Sequence, residues 1–463
     1  MKNLCNNNCQ RCGRCTPTPS QTWDITQKYH QVPNRDDTPR FFTPEEYGIA
    51  LDIGTTTLAF ELFGHDPSGT IVRRASYSCV NAQRKYGADV ISRIQRATDG
   101  DAALLHELIH QDLRNGVAHL IEMAGITSNQ IRHMAIAGNT TMLHLLHNLP
   151  CDTLGVFPFK PVDIKRRAVR FDFLPQCEAF TMPGISTFVG ADIVAGLMCL
   201  GSGSIKNPCD CPNENAHVTS GNASFLLVDL GTNGEIALVH RGKIYAAATA
   251  AGPAFEAANI SCGVGSVTGA ICGATYDPAQ KKFIYETIGS IGSGDGTPPI
   301  GICGTGVLEI TAELLRHNFL SPTGRLYPHH HENGVPLTDT IALTQADLRE
   351  VQTAKSAIRA GIEILLQSAN CTPQEITHVY IAGGFGTRLR PQTAAILGLL
   401  PEALAHKAQS VGNTALGGAV RTLLSTNATD EADNLVARAT EVNLAAHPQF
   451  NDLFMQYISF GEE

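Results

Sequence analysis

The chain has 463 residues and a formal charge of −9, with 43% hydrophobic and 17% charged residues. That length exceeds one ordinary core, so two or three domains are expected, and the composition is that of a folded chain. An acidic chain without a basic stripe argues against nucleic acid, no apolar run reaches 18 residues as a membrane span would, and the polar start Met1–Asn8 lacks the apolar core of a secretory signal. A cytoplasmic setting follows, in which the 14 cysteines are expected to be reduced, metal-bound or buried.

Residues 1–15 carry Cys5, Cys9, Cys12 and Cys15. The last three follow the C-x2-C-x2-C spacing that wraps a 4Fe-4S cluster in bacterial ferredoxins, where the fourth ligand is remote; Cys5 is placed to act as the fourth here. Zinc is the rival occupant, since tetrahedral four-cysteine sites are common, although structural zinc usually draws on two separated knuckles. Unligated or partner-bridging thiols are the third reading. Residues 16–46, rich in Pro, Thr, Asp and Gln, read as a linker.

A first lobe is expected over 47–200. Gly48–Ile53 reads as a buried strand ending in the turn Asp52-Ile-Gly54-Thr55-Thr56, and Leu58–Phe63 returns as a hairpin. Later, Met134–Ala137 is an apolar strand followed by Gly138-Asn139-Thr140. Residues 201–223 form a polar insertion in which Cys209 and Cys211 read as an incidental exposed pair. A second lobe, 224–410, repeats the order. Phe225–Leu230 leads into Asp229-Leu-Gly231-Thr232-Asn233-Gly234-Glu235, Ile236–Val239 returns, Arg241-Gly242-Lys243 turns, and Ile244–Ala248 continues the meander. Val379–Ala382 followed by Gly383-Gly384-Phe385-Gly386 matches the 134–140 unit. The Asp-x-Gly-Thr turns lie about 180 residues apart, an internal duplication that predicts two similar α/β lobes facing each other.

Two helices stand out. Leu348, Val351, Ile358, Ile362 and Leu365 recur at three- and four-residue steps behind Thr344, a natural N-cap. The small-residue run Gly412–Ala419 predicts a helix pressed closely against another, and the C-terminal helices in 411–463 are expected to return to the first lobe. Cys151, Cys177, Cys199, Cys262, Cys272, Cys303 and Cys371 lie singly in apolar or glycine-rich contexts and read as core cysteines. His329-His330-His331 reads as a solvated loop.

The paired turns carry chemistry. Backbone N–H groups and Thr hydroxyls at a glycine turn suit phosphate oxygens. An ionised Asp beside each turn suits hydrated Mg²⁺, which is held by one or two carboxylates plus substrate phosphates. Two such turns would grip β- and γ-phosphates from opposite sides. The Gly383–Gly386 segment would let backbone approach adenine or the α-phosphate. One Asp-x-Gly-Thr is usually an ordinary turn; two in register, with the late glycine segment, point to a nucleotide.

These residues carry a resemblance. Asp52–Thr56, Asp229–Glu235, Gly383–Gly386 and Gly412–Gly418 resemble the phosphate, adenosine and connecting motifs of the actin/sugar-kinase/Hsp70 (ASKHA) superfamily, with its duplicated ribonuclease-H-like lobes. Asn81 with Gly87–Arg93, Ala137–Met142, Val156–Pro161, Gly252–Glu256, Gly301–Gly306, and Thr344-Gln345 with Gln352–Lys355 resemble, more narrowly, the reductive activators of corrinoid proteins. The likeness covers about residues 47–425. It implies that Asp52 and Asp229 order Mg²⁺ and the attacking water. It also implies that Gly54, Thr55, Thr56, Gly231, Thr232, Asn233, Gly234 and Glu235 form the phosphate clamp. Gly383, Gly384 and Phe385 would face the nucleoside, as would Lys355 on a helix shared with Glu350 and Gln352. The segment before Tyr47 is far shorter than the plant-type 2Fe-2S domain those activators carry.

The function implied is ATP-dependent, low-potential electron transfer to a cobalt corrinoid protein from a reduced ferredoxin-like donor, with a homodimer implied by resemblance alone. The alternatives are a reductase for another metalloprotein, of the double-cubane or dehydratase iron–sulfur type, a small-molecule or acyl kinase, and a chaperone-like nucleotide-gated binder. The four-cysteine head favours the redox readings, because phosphoryl transfer to a metabolite needs no redox centre.

Overall fold

The computed structural model describes residues 43–201, 224–231, 233–249, 251–257, 259–289, 298–383 and 389–461. The cysteine head, the linker to residue 42, and Cys209 and Cys211 lie outside the described residues, as do Thr232, Gly384, Phe385 and Gly386.

The first lobe is built from β1 (Tyr47–Ile53), β2 (Thr57–His65), β3 (Ile71–Val80), α1 (Val90–Arg96), α2 (Ala102–Ala124), β4 (Ile131–Gly138), α3 (Thr140–Leu146), α4 (Asp152–Gly155), β5 (Arg167–Val169), β6 (Glu178–Thr181) and α5 (Ala191–Gly201). The second holds β7 (Phe225–Leu230), β8 (Gly234–His240), β9 (Lys243–Thr249), β10 (Ala270–Asp277), β11 (Lys282–Thr287), β12 (Gly301–Ile302), α6 (Gly304–Arg316), β13 (Val335–Pro336), β14 (Ala342–Leu343), α7 (Gln345–Ser368), β15 (His378–Ala382), α8 (Pro391–Ile396), α9 (Glu402–Ala405) and β16 (Ala408–Gly412). The chain ends in α10 (Thr414–Leu424), α11 (Ala428–Arg438), β17 (Ala439–Glu441) and α12 (Phe450–Gln456).

The two main sheets have the orders β3-β2-β1-β4-β6-β5 and β9-β8-β7-β15-β16, with β17 added beside β9. In each, a hairpin pairs antiparallel with the leading strand, and a later strand pairs parallel on its other side: β1 with β2 and β4, β7 with β8 and β15. This is the expected duplication, now as matching strand order. Ile49, Ala50, Leu51 and Ile53, like Leu226, Leu227, Val228 and Leu230, have no exposed surface, as both faces of the central strands are covered.

On the outer face of the first sheet, α2 buries Leu105, Ile109, Leu113, Val117 and Leu120 at three- and four-residue steps. It ends at Gly125 with a left-handed φ of 66°. On the outer face of the second sheet, α7 buries Leu348, Val351, Ile358, Ile362 and Leu365, and the Thr344–Asp347 capping box starts it as expected. Between the sheets lie α5, α10 and α11. One apolar cluster runs from Ile49 and Leu51 through Ile193, Ala419 and Leu435 to Phe225 and Val239. The expected close helix contact is α10 on α5, where a Cβ at Gly418 would stand 2.0 Å from the Ala195 carbonyl oxygen.

Residues 411–463 divide between the lobes and do not all return to the first. α10 sits on β1 and β4, whereas β17 extends the second sheet and α12 packs on α7. Cys151, Cys199, Cys272, Cys303 and Cys371 are buried, but Cys177 and Cys262, expected in the core, are half-buried. Among the described residues no helix is long and apolar enough to cross a membrane.

Candidate active site

Both turn aspartates sit one residue before the end of their strands, Asp52 on β1 and Asp229 on β7. Glu235 stands directly across from Asp229 in the β7–β8 ladder. A fourth carboxylate joins them from the first turn of α5, Asp192. Their mutual electrostatics place the four together. Burial pushes Asp52 up to about 7, with Asp192 adding to the rise and an Asn413 hydrogen bond opposing it. Burial, then Asp192 and Asp52, push Asp229 up to about 8. Burial raises Asp192 to about 6 against backbone hydrogen bonds. Burial, Asp192, Asp229 and Asp52 hold Glu235 well above its ordinary value. Like charges taken out of water resist ionising together, so all four carboxyls titrate above their ordinary range.

The first turn is tied down by three asparagines, each with two roles. Asn81 accepts from the Gln83 N–H at 3.0 Å and donates to the Gly54 carbonyl at 3.0 Å. Asn139 caps α3 by accepting from the Met142 N–H at 2.9 Å, and donates to the Thr55 hydroxyl at 2.9 Å. Asn413 caps α10 by accepting from the Leu416 N–H at 2.8 Å, and donates to Asp52 Oδ2 at 2.8 Å. The fully buried Arg93 adds bonds to the Thr55 and Gly87 carbonyls. The motifs around Asn81, Arg93 and Asn139 thus act behind the turn. The bond accepted by Thr55 Oγ1 leaves its hydroxyl hydrogen for an incoming oxygen.

In the second turn the Gly231 N–H reaches the Asn233 carbonyl at 3.1 Å. Gly383 crosses directly behind it with a φ of +94°, and a Cβ there would lie 2.4 Å from the Leu230 carbonyl oxygen and 2.7 Å from Asp229 Oδ1. Only glycine lets β15 end against that carboxylate. Glu235 Oε1 and Thr414 Oγ1 are buried without a hydrogen-bond partner. Four buried carboxyl groups with raised pKa values, one of them carrying the orphaned Glu235 Oε1, make an all-oxygen donor set, so these residues fit a hydrated divalent ion such as Mg²⁺.

Sequence reasoning missed Asp192. Its signal was Val189-Gly190-Ala191-Asp192, an acidic residue opening an otherwise apolar helix. Lys355 lies on α7 and is buried, but its ammonium donates to the Ser459 carbonyl and stands 5.3 Å from the Phe460 ring centroid. Burial, then Arg359, push it down to about 7. Gln352 likewise donates to the Thr323 and Ile458 carbonyls at 3.1 and 2.9 Å. The chain's own C-terminal segment therefore covers the α7 face expected to meet the nucleoside. Glu350, half-buried, accepts from Asn259 at 3.3 Å. His329 and His331 are exposed and His330 is half-buried.

Residues 47–202 match the RACo middle region and residues 223–463 match the C-terminal domain of RACo, the ASKHA domain. The chain is 31% identical over 447 residues to the corrinoid activation enzyme RamQ of Eubacterium limosum, covering 90% of this chain and 70% of that protein. It is 25% identical over 444 residues to the [Co(II) methylated amine-specific corrinoid protein] reductase of Methanosarcina barkeri, covering 89% and 77%. The solved structure of a reductive activator for corrinoid, iron-sulfur protein superposes with a TM-score of 0.76 at 28% identity, covering 90% of this chain and 67% of that one. With both halves matched and the duplicated lobes in place, the chain belongs to the RACo family of ASKHA-fold proteins.

Proposed function

We propose that this chain binds and hydrolyses ATP between its lobes and uses it to drive an electron onto the cobalt of a corrinoid protein. The observation that carries the reading is the meeting of Asp52, Asp192, Asp229 and Glu235 at the turns of a duplicated fold. The names of the relatives supply the partner class.

Asp52 and Asp229, with Asp192 and Glu235, would hold Mg²⁺, which would supply positive charge against the phosphates. The Thr55 and Thr56 hydroxyls and the Gly54 backbone would bind phosphate from the first lobe. Gly231, Thr232, Asn233 and Gly234 would do so from the second. The ionised form of Asp52 or Asp229 would orient the attacking water and take up its proton. Gly383, Gly384 and Phe385 are proposed for the nucleoside. Lys355 is proposed there too, and its use would require Ser459 and Phe460 to move aside. Cys5, Cys9, Cys12 and Cys15 are proposed as ligands of a 4Fe-4S cluster, with zinc as the alternative, fed by a ferredoxin-like donor.

Coupling is needed because a one-electron gap of about 59 mV costs about 1.4 kcal/mol, and reducing cobalt(II) runs uphill from common donors. Two lobes can supply this through different partner affinity in their nucleotide states. The test is anaerobic: a cobalt(II) corrinoid protein, a low-potential reductant and this chain, followed by corrinoid absorbance with and without Mg-ATP. Reduction that depends on ATP and disappears in Asp229→Asn is the expected result. Reduction at the same rate without nucleotide would overturn the reading.

A further inference from the structure

Far from the carboxylates, the second sheet gathers three other ligating side chains. β8 runs away from Asp229, which faces Glu235, and ends at His240, about 17 Å on at the usual strand rise. Cys371 lies just past the end of α7, and Glu375 closes the short 3₁₀ turn Pro373–Glu375 that leads into β15. His240 and Cys371 are buried and Glu375 is half-buried; one ligand atom from each lies within 4.8 Å of the other two.

The cluster is built from behind. His240 Nδ1 is 2.9 Å from the Ser224 hydroxyl. With Nδ1–H donating there, Nε2 presents a lone pair, and Nε2 is buried with no hydrogen-bond partner. This is the arrangement of a ligating histidine, whose other nitrogen is oriented by an outer partner. A buried nitrogen left unpaired is a cost to the fold unless something occupies it. The Glu375 turn is also held: Glu375 Oε2 accepts from the Thr372 N–H at 2.8 Å and hydroxyl at 3.0 Å, and Lys407 donates to the Pro373 and Ile376 carbonyls at 3.1 and 2.7 Å. Glu375 Oε1 pairs with Arg241 at 2.8 Å, an arginine whose side chain is 70% exposed. Such a surface pair exchanges readily for a stronger partner.

We propose that His240, Cys371 and Glu375 form a binding site for a divalent ion of the zinc class, with a fourth position open to water. One nitrogen, one sulfur and one oxygen suit a borderline-soft ion, while Mg²⁺ and Ca²⁺ take oxygen alone. On uptake the Cys371 S–H bond breaks, its proton passes to solvent and a metal–sulfur bond forms. Neutral His240 gives its Nε2 lone pair, and Glu375 Oε1 exchanges Arg241 for the ion; no electron moves. The ion ties the end of β8 to the α7–β15 turn. It therefore acts on the stability of the second lobe and not on the carboxylate site.

The test uses the full chain, freed of metal under anaerobic conditions and titrated with Zn²⁺ against a chromophoric chelator. The N-terminal cysteines are present throughout, so differences between variants isolate this site. The wild-type protein should bind one more ion than Cys371→Ala and show a larger zinc-dependent rise in Tm, with proton release that Cys371→Ala lacks. Ser224→Ala should weaken that extra ion by about tenfold to a hundredfold. Should Cys371→Ala fail to fold, Glu375→Gln decides, since Gln can still accept from Thr372: it should weaken the same ion by at least about tenfold. Equal ion counts, equal affinities and equal Tm shifts in the wild-type protein and Glu375→Gln would overturn the proposal.

Discussion

The two glycine turns have the same strand order around them and opposite polar surroundings. The first, Gly54–Thr57, is held from behind by Asn81, Asn139 and Arg93. At the second, Asp229 and Glu235 face each other across one rung of the β7–β8 ladder, with Glu235 Oε1 unpartnered. Duplication supplied the backbone; the side chains then divided the work. One turn has its Gly54 and Thr55 carbonyls already bonded, with the Thr55 hydroxyl positioned by Asn139. The other crowds carboxyl groups that burial and their neighbours hold back from ionising.

The sharpest way to break this comparison is to remove the charge. Asp229→Asn should lower Mg-dependent ATP hydrolysis by about a hundredfold or more, while the metal-free protein at pH 8 should melt no lower than wild type, since a repelled carboxylate is gone. Asp52→Asn should behave alike in turnover, but its Asn413 contact makes its Tm the more sensitive of the two. Steady-state turnover and thermal melts check both, and near wild-type turnover in both would contradict the clamp.

Next comes a pair of variants expected to move stability in opposite directions. Arg93→Ala strips the first turn of a buried guanidinium and should cost about 3 kcal/mol. Glu235→Gln removes a carboxyl that resists ionising and should leave metal-free stability at pH 8 equal or higher. Denaturant melts of the two, side by side, measure the asymmetry; losses of the same size would erase it.

A smaller effect is the pH profile. Asp52, Asp192 and Asp229 have folded-state values near 7, 6 and 8, above the ordinary 3.8. The folded chain therefore keeps protons that the unfolded chain has released. The sign follows: their contribution is neutral below about pH 4, and stability falls as pH rises from there to about 8. Saturating Mg-ATP should flatten that fall. Tm measured across the range with and without Mg-ATP is the check, and a metal-free Tm that rises from pH 5 to 8 would count against the cluster. The smallest effect concerns the C-terminal cover. A chain ending at residue 456 loses the Ser459–Lys355 contact; it should bind ATP modestly more tightly while tripolyphosphate binding stays unchanged.

Much of the architecture was legible because it is written locally. Asp52–Thr56 and Asp229–Glu235 each end an apolar run, so the paired lobes could be read from two short motifs and their spacing. Thr344 and the 348–365 stripe marked α7 for the same reason. Asp192 was missed because a single acidic residue at a helix start has many ordinary uses, and only its placement against Asp52 and Asp229 gives it meaning. Lys355 was placed on the right helix but its surroundings were not visible, since they come from Ser459 and Phe460 about 100 residues on. Cys371 read as a core thiol, and its neighbours His240 and Glu375 meet it only through the register of β7, β8 and β15.

The central claim is that nucleotide and corrinoid partner act on one equilibrium of the lobes. Linkage requires that if ATP changes the affinity for the partner, the partner changes the affinity for ATP by the same factor. The direct measurement is ATP affinity with and without a saturating cobalt(II) corrinoid protein, made with the wild-type chain and with a chain lacking residues 1–46. The account predicts a shift in ATP affinity in both chains, matched in the wild type by an equal shift in partner affinity when ATP is added. Independent binding of the two, with neither affinity moved by the other, would contradict it.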